Sequence, residues 1–496
     1  MRKLLFCSAL FLLMSACGND EIRENAPDIP PVPPVIIAED PGFANDLPVT
    51  EPFEEPDPLE AGIPPFNEYF ISLDFEPETR TIRGMERVIY TNRHDAALSE
   101  LVFRVPLNAA GYALMDISHV SQDNEELPFS LDETVLTIVL IRPLEPNETI
   151  QLRIQFETSI PPAAHRTGSN AYAVWGGAFL PVEAVFGEGG WHTEPFYQVG
   201  NPFLLDVASY TVEITTPLGY IVAGSGTKTE TDLDNHKVTT FTAHMSRDFA
   251  FAISPYFRRA SQVTPSGVEI SLYHYTPDLP TEHILNAAME TIMFFEETVG
   301  AYPHSHLGIV ETDMFRNGVH FSSVIFMESN HLRTSSNLTS LRNEIGRQWF
   351  SVIIGSNPVE EPWLNAGLAH FLHEGLLGQP QELRDMIERS HRDLVSNPIQ
   401  NENIRRIATS LSHYESWIEY FRIQHRKAQI MFYALYREMG EENFKDLLRE
   451  YYRQFAFRIA ASTDFISLAE EIHGSSLGDF FDYWLNAEEL PELPAR

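Results

Sequence analysis

Cysteine is almost missing. Cys7 and Cys17 are the only two among 496 residues. That excludes a disulfide framework and, beyond the first residues, a cysteine nucleophile. Positive charge is scarce as well: 34 Lys and Arg stand against 70 Asp and Glu, for a net charge of −36. Such a chain has little with which to neutralise phosphates, so nucleic acid is excluded as a partner. No Gly-x-Ser-x-Gly elbow and no phosphate-binding loop occurs, which removes the common serine hydrolase and nucleotide readings. No internal repeat is evident. What the chain has is bulk: 43% hydrophobic and 11% aromatic residues, enough for the cores of two or three domains.

The first residues read as a targeting segment. Arg2 and Lys3 precede an apolar run from Leu4 to Ala16 that is too short to span a bilayer. The run ends Leu13-Met14-Ser15-Ala16-Cys17, which resembles the bacterial lipobox. Residues 1–16 are therefore expected to be a lipoprotein signal peptide, with Cys17 lipidated and holding the protein to membrane lipid on the extracytoplasmic side. The alternative is an ordinary secretory signal beside a coincidental cysteine. Residues 17–65 are acidic and proline-rich (DIPPVPPVIIAEDPG, EPFEEPDPLEAGIPP) and read as a disordered tether, or alternatively as a proline-rich ligand for a partner.

Residues 66–257 are patterned as strands. NEYFISLDF, TVLTIVLI, IQLRIQFET, SYTVEITTP and KVTTFTAH alternate or run apolar between turn residues, predicting an antiparallel all-β domain. Between two sets of strands lies VWGGAFLPVEAVFGEGGWHTEPFY. Its aromatics Trp175, Trp191 and Phe196 either plug one end of the sheets or border a working surface. From 258 to 490 a few strands give way to helices, with Ile284, Ala288, Ile292 and Phe295 marking one helix face. This predicts an α+β domain, mostly helical toward its C-terminal end. Residues 491–496 form a tail.

The stretch from Leu341 to Gly378 reads as two helices joined by a loop at Asn357-Pro358. Leu341, Ile345, Trp349 and Ile353 recur at helical spacing, and Pro362 suits a first helical turn. Asn343, Glu344 and Arg347 stand on the first helix at the spacing of His-Glu-x-x-His, in which two imidazoles one turn apart bind zinc and the glutamate polarises its water.

Several ordered stretches carry a family resemblance. GGWH (189–192), SRDFAFAISP, RQWF (347–350), EPWLNAGLA (361–369), HRKAQIMFYALYREMG and GSSLGDFFDYWL followed by LPEL resemble the aminopeptidase N family of gluzincin, thermolysin-like zinc metallopeptidases over about residues 66 to 490. The resemblance implies an N-terminal β-domain followed by a thermolysin-like catalytic-type domain. The departures from the family pattern fall on its chemistry. Asn343 and Arg347 take the two histidine ligand positions, and Ala366 takes the third ligand position. Glu344 keeps the general-base position. Gly318-Val319-His320-Phe321-Ser322 aligns with the stretch whose glutamate grips the substrate's amino group, so His320 replaces that glutamate. His425 replaces the tyrosine that stabilises the tetrahedral intermediate.

Asparagine is a weak zinc ligand, alanine none, and arginine a fixed cation that repels the ion. No cofactor is therefore expected. Arg347 is expected to take over the ion's charge and pair with Glu344 three residues away, the alternative being that it turns to solvent. A rebuilt site from His320, His370, His425 and Glu344, with His373 one turn further on, is a second alternative. Glu360-Glu361 reads as first-turn residues favoured by the helix dipole. The expected function is binding of a peptide or protein in an old active-site cleft without catalysis, with Gly318, His320 and Arg347 as binding residues. An active zinc aminopeptidase with an atypical site, and a structural partner of an active paralogue, are the competing expectations.

Overall fold

A computed structural model describes residues 66–493 except 111–114, 188, 315, 316, 335, 337, 378, 379, 398, 400–403 and 491. The expected signal peptide, Cys17 and the tether lie outside the described residues, as does most of the tail.

The first half is built of sheets. Its largest sheet has eight strands in the order Thr227–Leu233, His236–Ser246, Ala208–Pro217, Glu68–Glu76, Thr81–Thr91, Thr149–Ser159, Asp116–Gln122 and Glu125–Glu126. The pairing is antiparallel except that Glu68–Glu76 runs parallel to Ala208–Pro217, with Tyr69 opposite Tyr210. Those two rings stack 4.9 Å apart between centroids. Alternation decides the faces: in Thr149–Ser159, Ile150, Leu152, Ile154 and Phe156 turn inward while Gln155 and Glu157 face water. They meet Leu101, Phe103, Leu136 and Ile138, contributed by Leu98–Arg104 and Val135–Leu144 of a four-stranded sheet. Another four-stranded sheet joins Thr167–Ser169, Val174–Gly176, Ile221–Gly224 and Phe251–Ser254.

The second half begins with a mixed five-stranded sheet ordered Arg258–Val263, Glu269–His274, His306–Thr312, Val324–Glu328 and Gly318–Phe321. The last is an edge strand, antiparallel to its neighbour, with His320 opposite Ile325. The helix Thr281–Thr298 buries Ile284, Ala288, Ile292 and Phe295, the face expected from its periodicity. The helices Thr339–Arg347, Pro362–Phe371, Pro380–Ser396, Ala428–Met439, Glu441–Phe455, Ser462–His473 and Gly478–Asn486 follow. One continuous core, with Leu341, Ile345, Trp349, Leu364, Leu368 and Phe432 among its members, unites them. The expected order, a sheet domain followed by an α+β domain that ends in helices, is the order observed.

Trp175 is fully buried, donates to the His165 carbonyl at 2.7 Å, and packs with Tyr273, Phe321 and Phe326 of the second half. It is therefore a seam residue. Arg247 is a second tie across that seam. Its buried guanidinium donates to the carbonyls of Val352 (2.7 Å), Leu205 (2.9 Å), Ile353 (3.3 Å) and Arg458 (2.8 Å).

Candidate functional site

Two elements bring the central pair together. Glu344 lies on Thr339–Arg347, whose other face buries Leu341 and Ile345. Gly346 on that helix lies so close to Phe295 that a Cβ would sit 2.7 Å from the ring. The next residue, Gln348, locks the helix to the edge strand: its Nε2 donates to the Phe321 carbonyl at 2.9 Å and its Oε1 accepts from Ser323 N at 3.1 Å. That registration sets His320 against Glu344, and Nδ1 of His320 donates to the carboxylate at 2.7 Å. Asn343 Nδ2 donates to the other carboxylate oxygen at 3.1 Å. Burial pushes the Glu344 carboxyl up, but the His320 hydrogen bond and charge, the Arg347 charge and the Asn343 bond outweigh it and hold its pKa below the ordinary value.

Arg347 is buried, at 5% exposure, and does not turn to solvent. Its expected direct pairing with Glu344 is not the arrangement found. Nη2 of Arg347 donates to Nε2 of His425 at 3.3 Å, and the guanidinium acts on Glu344 through its charge. Glu344's oxygens accept instead from His320 and Asn343. Burial, then Arg347, His370 and His373, hold His425 well below the usual imidazole range, so it is the neutral acceptor this bond needs.

Three segments around the site are wound as π-helix: Gln348–Ile353, with a kink at Phe350, then Leu372–Leu376 and Phe421–Lys427. Each extends an α-helix or leads into one, and such widened turns re-aim side chains that a regular helix would direct elsewhere. The last carries His425 into the pocket.

A pocket of about 100 Å³ opens between the sheet domain and the helical domain. Gly318, His320, Glu344, Arg347 and His425, all singled out from the sequence, line it. So do Arg166, Met314, Trp417 and Tyr420, which no motif marked. Burial raises the Tyr420 phenol above its ordinary value against the pull of Arg347 and Arg166. Tyr420 ends the short α-helix Trp417–Tyr420, directly before the π-turn that carries His425. Ala366, on Pro362–Phe371, is fully buried and offers no donor.

The four residues of the second alternative do not form one cluster. His320 joins Glu344 and His425 joins Arg347. His370 instead stands with His373 and Glu374, one ligand-capable atom from each lying within 4.8 Å of the others. Burial, with the charges of Arg426 and Arg347, lowers His370 to about 3. Burial, with His370, lowers His373 to about 3. Several buried polar atoms around the site have no hydrogen-bond partner: Nε2 of His320, Oδ1 of Asn343, Nδ1 of His370, Nε2 of His373 and Nδ1 of His425. Glu361, expected only to favour a helix dipole, also accepts from Ser462 N at 2.9 Å.

Comparison with known proteins matches residues 283–484 to the Peptidase family M1 domain. Aminopeptidase O of Rattus norvegicus is 27% identical over 232 residues, covering 39% of this chain and 28% of that protein. Glutamyl aminopeptidase of Homo sapiens is 24% identical over 315 residues, covering 58% and 32%. The matched region thus spans less than a third of either relative. Among solved structures, an M1 zinc metallopeptidase from Deinococcus radiodurans superposes with a TM-score of 0.68 at 17% identity, covering 87% of this chain and 95% of that one. A variant from the same organism, bound to a Tyr-Ser-Ala substrate, gives 0.67 at 17%, covering 87% and 96%. Residues 283–484 are thus similar to the Peptidase family M1 domain, and the described residues share the two-domain fold of those solved M1 metallopeptidases.

Proposed function

We propose that the protein is a catalytically inactive peptidase-family lipoprotein. It is anchored through Cys17 on the extracytoplasmic side of a membrane and holds a peptide or protein segment in its interdomain pocket. The observation that carries this reading is the state of Arg347 and Glu344. M1 peptidases depend on zinc. At the positions the family uses for that ion, this chain has a buried guanidinium bonded to His425, an asparagine amide donating to Glu344, and Ala366. A fixed cation and a missing donor do not fit a divalent ion there. Glu344, bonded to His320 and Asn343, is a held anion. No hydrolytic step is therefore derived.

What remains is a pocket suited to a peptide. Met314, Val319, Trp417 and Tyr420 supply apolar and aromatic surface, and Arg166, Arg347 and Glu344 supply charges of both signs. Few polar groups among apolar walls is the usual composition of a binding site.

The test uses the purified full chain. Hydrolysis of amino-acid anilides is measured with added zinc and with a chelator, and none is expected in either. Activity that both the chelator and Glu344→Gln abolish would overturn the reading. Calorimetry with a panel of short peptides is expected to find a binder whose affinity falls at least tenfold in Arg347→Met. A panel with no binder counts against the pocket's proposed role. Cys17→Ser is expected to move the protein from the membrane fraction to the soluble fraction.

A further inference from the structure

Beside the pocket, His370, His373 and Glu374 make a cluster that the peptide-binding reading does not use. We propose that these three residues form a site for a divalent transition-metal ion of the zinc or cobalt class, displaced from the Asn343, Arg347 and Ala366 positions. The proposal stands apart from the peptide-binding reading, since the ion would bind whether or not the cleft takes a peptide.

The orientation of His373 is the first observation. Its Nδ1 lies 2.9 Å from the Ala369 carbonyl, which can only accept, so Nδ1 carries the proton. Nε2 is then a lone pair, and it is buried without a partner. A ring held by a backbone carbonyl with its other nitrogen presented is the arrangement that orients metal-ligating histidines. An orphaned buried acceptor is costly, which gives it a reason to be satisfied by something.

Spacing is the second. Nε2 of His370 lies 3.5 Å from Oε2 of Glu374. Two ligands each about 2.1 Å from a tetrahedral ion stand about 3.4 Å apart, so this gap already matches an edge of the site. The His370 and His373 rings are 5.2 Å apart between centroids and edge-on, which lets both direct a nitrogen to one point. The carboxylate has its own orienting partner, since Gln429 Nε2 donates to Oε2 of Glu374 at 3.2 Å.

Winding is the third. His373 and Glu374 lie on the π-helical turn Leu372–Leu376, while His370 lies on the α-helix before it. At i, i+3 and i+4 the three share one helix face. Both histidines are almost fully buried, but the Glu374 side chain is 25% exposed, so an ion can enter from its side. Two imidazoles and one carboxylate leave a fourth position open. The His425 ring, 5.4 Å from His370 between centroids, flanks the cluster on the pocket side. Arg347 and Arg426 act on His370 electrostatically, and their charge weakens the site relative to an isolated one.

Cobalt(II) is the probe, added to the full chain purified without a histidine tag. One equivalent is expected, with the intense visible absorption of a four-coordinate ion, and zinc should displace it. His373→Ala and Glu374→Gln are expected to lower the affinity at least tenfold, while Glu344→Gln and His320→Ala retain it. Circular dichroism and a thermal melt report folding. If His373→Ala does not fold, the near-isosteric and partly exposed Glu374→Gln decides. Absence of the visible band, or equal cobalt binding by Glu374→Gln and the unaltered chain, overturns the proposal.

Discussion

Nη2 of Arg347 donates to Nε2 of His425 across 3.3 Å, while Glu344, one turn back on the same helix, is held by His320. The buried cation and the buried anion are each given a separate neutral or ionisable partner. Breaking a buried charge arrangement from one side is costly because the other charge loses its compensation.

Acid sensitivity follows from that arrangement. The folded-state pKa of Glu344 lies below its ordinary value of 4.5, because His320, Arg347 and Asn343 together overcome burial. A depressed carboxyl adds stability that is present above its unfolded value and is lost as pH falls through the folded value. Arg347→Met removes one of the lowering charges. Its acid unfolding is expected to begin at higher pH than that of the unaltered protein, and Glu344→Gln is expected to flatten this part of the profile. Thermal melts between pH 3 and 6 check both.

Glu183 shows the opposite sign. Burial raises its carboxyl to about 7, against lowering hydrogen bonds from Tyr90 and Asn67. A raised group contributes stability that is full below the unfolded value and is lost as pH rises through the folded value. Glu183→Gln keeps an oxygen for the Asn67 amide and removes the charge. It should therefore melt higher than the unaltered chain at pH 8 and no higher at pH 4. Equal melting shifts at the two pH values would contradict this.

The helices were legible because their signals are local. Ile284, Ala288, Ile292 and Phe295 mark a face by spacing alone, and Asn343, Glu344 and Arg347 are marked by a motif's spacing. Gly318 to Ser322 was placed only by its likeness to a family stretch, yet the edge strand does bring His320 to Glu344. What escaped the sequence depends on non-local contacts or on winding. Arg166 reaches the pocket from a loop of the sheet domain, and nothing in its neighbours marks it. The π-turns at Leu372–Leu376 and Phe421–Lys427 change which residues share a face. His370, His373 and Glu374 stand at i, i+3 and i+4 and so share a helix face, whereas His320 lies on the edge strand. The Arg347–His425 bond spans 78 positions of sequence and rests on the second of these turns.

Close helix contacts give a packing test. A Cβ added at Gly367 would lie 2.5 Å from the Ala428 Cβ and 3.1 Å from the Phe432 ring. Neither neighbour has room to withdraw, because Ala428 and Phe432 are fully buried. Gly367→Val should cost about 1–3 kcal/mol by overpacking, beyond any gain in helix propensity. Urea unfolding checks it, and a variant as stable as the parent would show that the helices can separate.

Arg247 is the most consequential residue outside the pocket. Its guanidinium satisfies the carbonyls of Val352 and Ile353 at the end of the π-turn, Arg458 from a distant loop, and Leu205 from the sheet domain. Burial lowers its pKa to about 10, with Asp206 and Asp248 resisting, so it stays charged at neutral pH. Arg247→Met keeps much of the side chain's bulk but orphans these acceptors. Hydrogen bonds to a charged group are worth about 1.5–3 kcal/mol each and are not additive, so a loss of about 4 kcal/mol is expected. Arg247→Lys retains the charge but has no planar fork to reach all four carbonyls, and should recover less than half of that loss. Because Gln348–Ile353 continues the helix that carries Glu344, Arg247→Met should also weaken peptide binding in the pocket, although Arg247 does not line it. Denaturant midpoints together with peptide calorimetry separate the two effects. Lower stability with unchanged peptide affinity would show that the seam and the pocket are energetically independent.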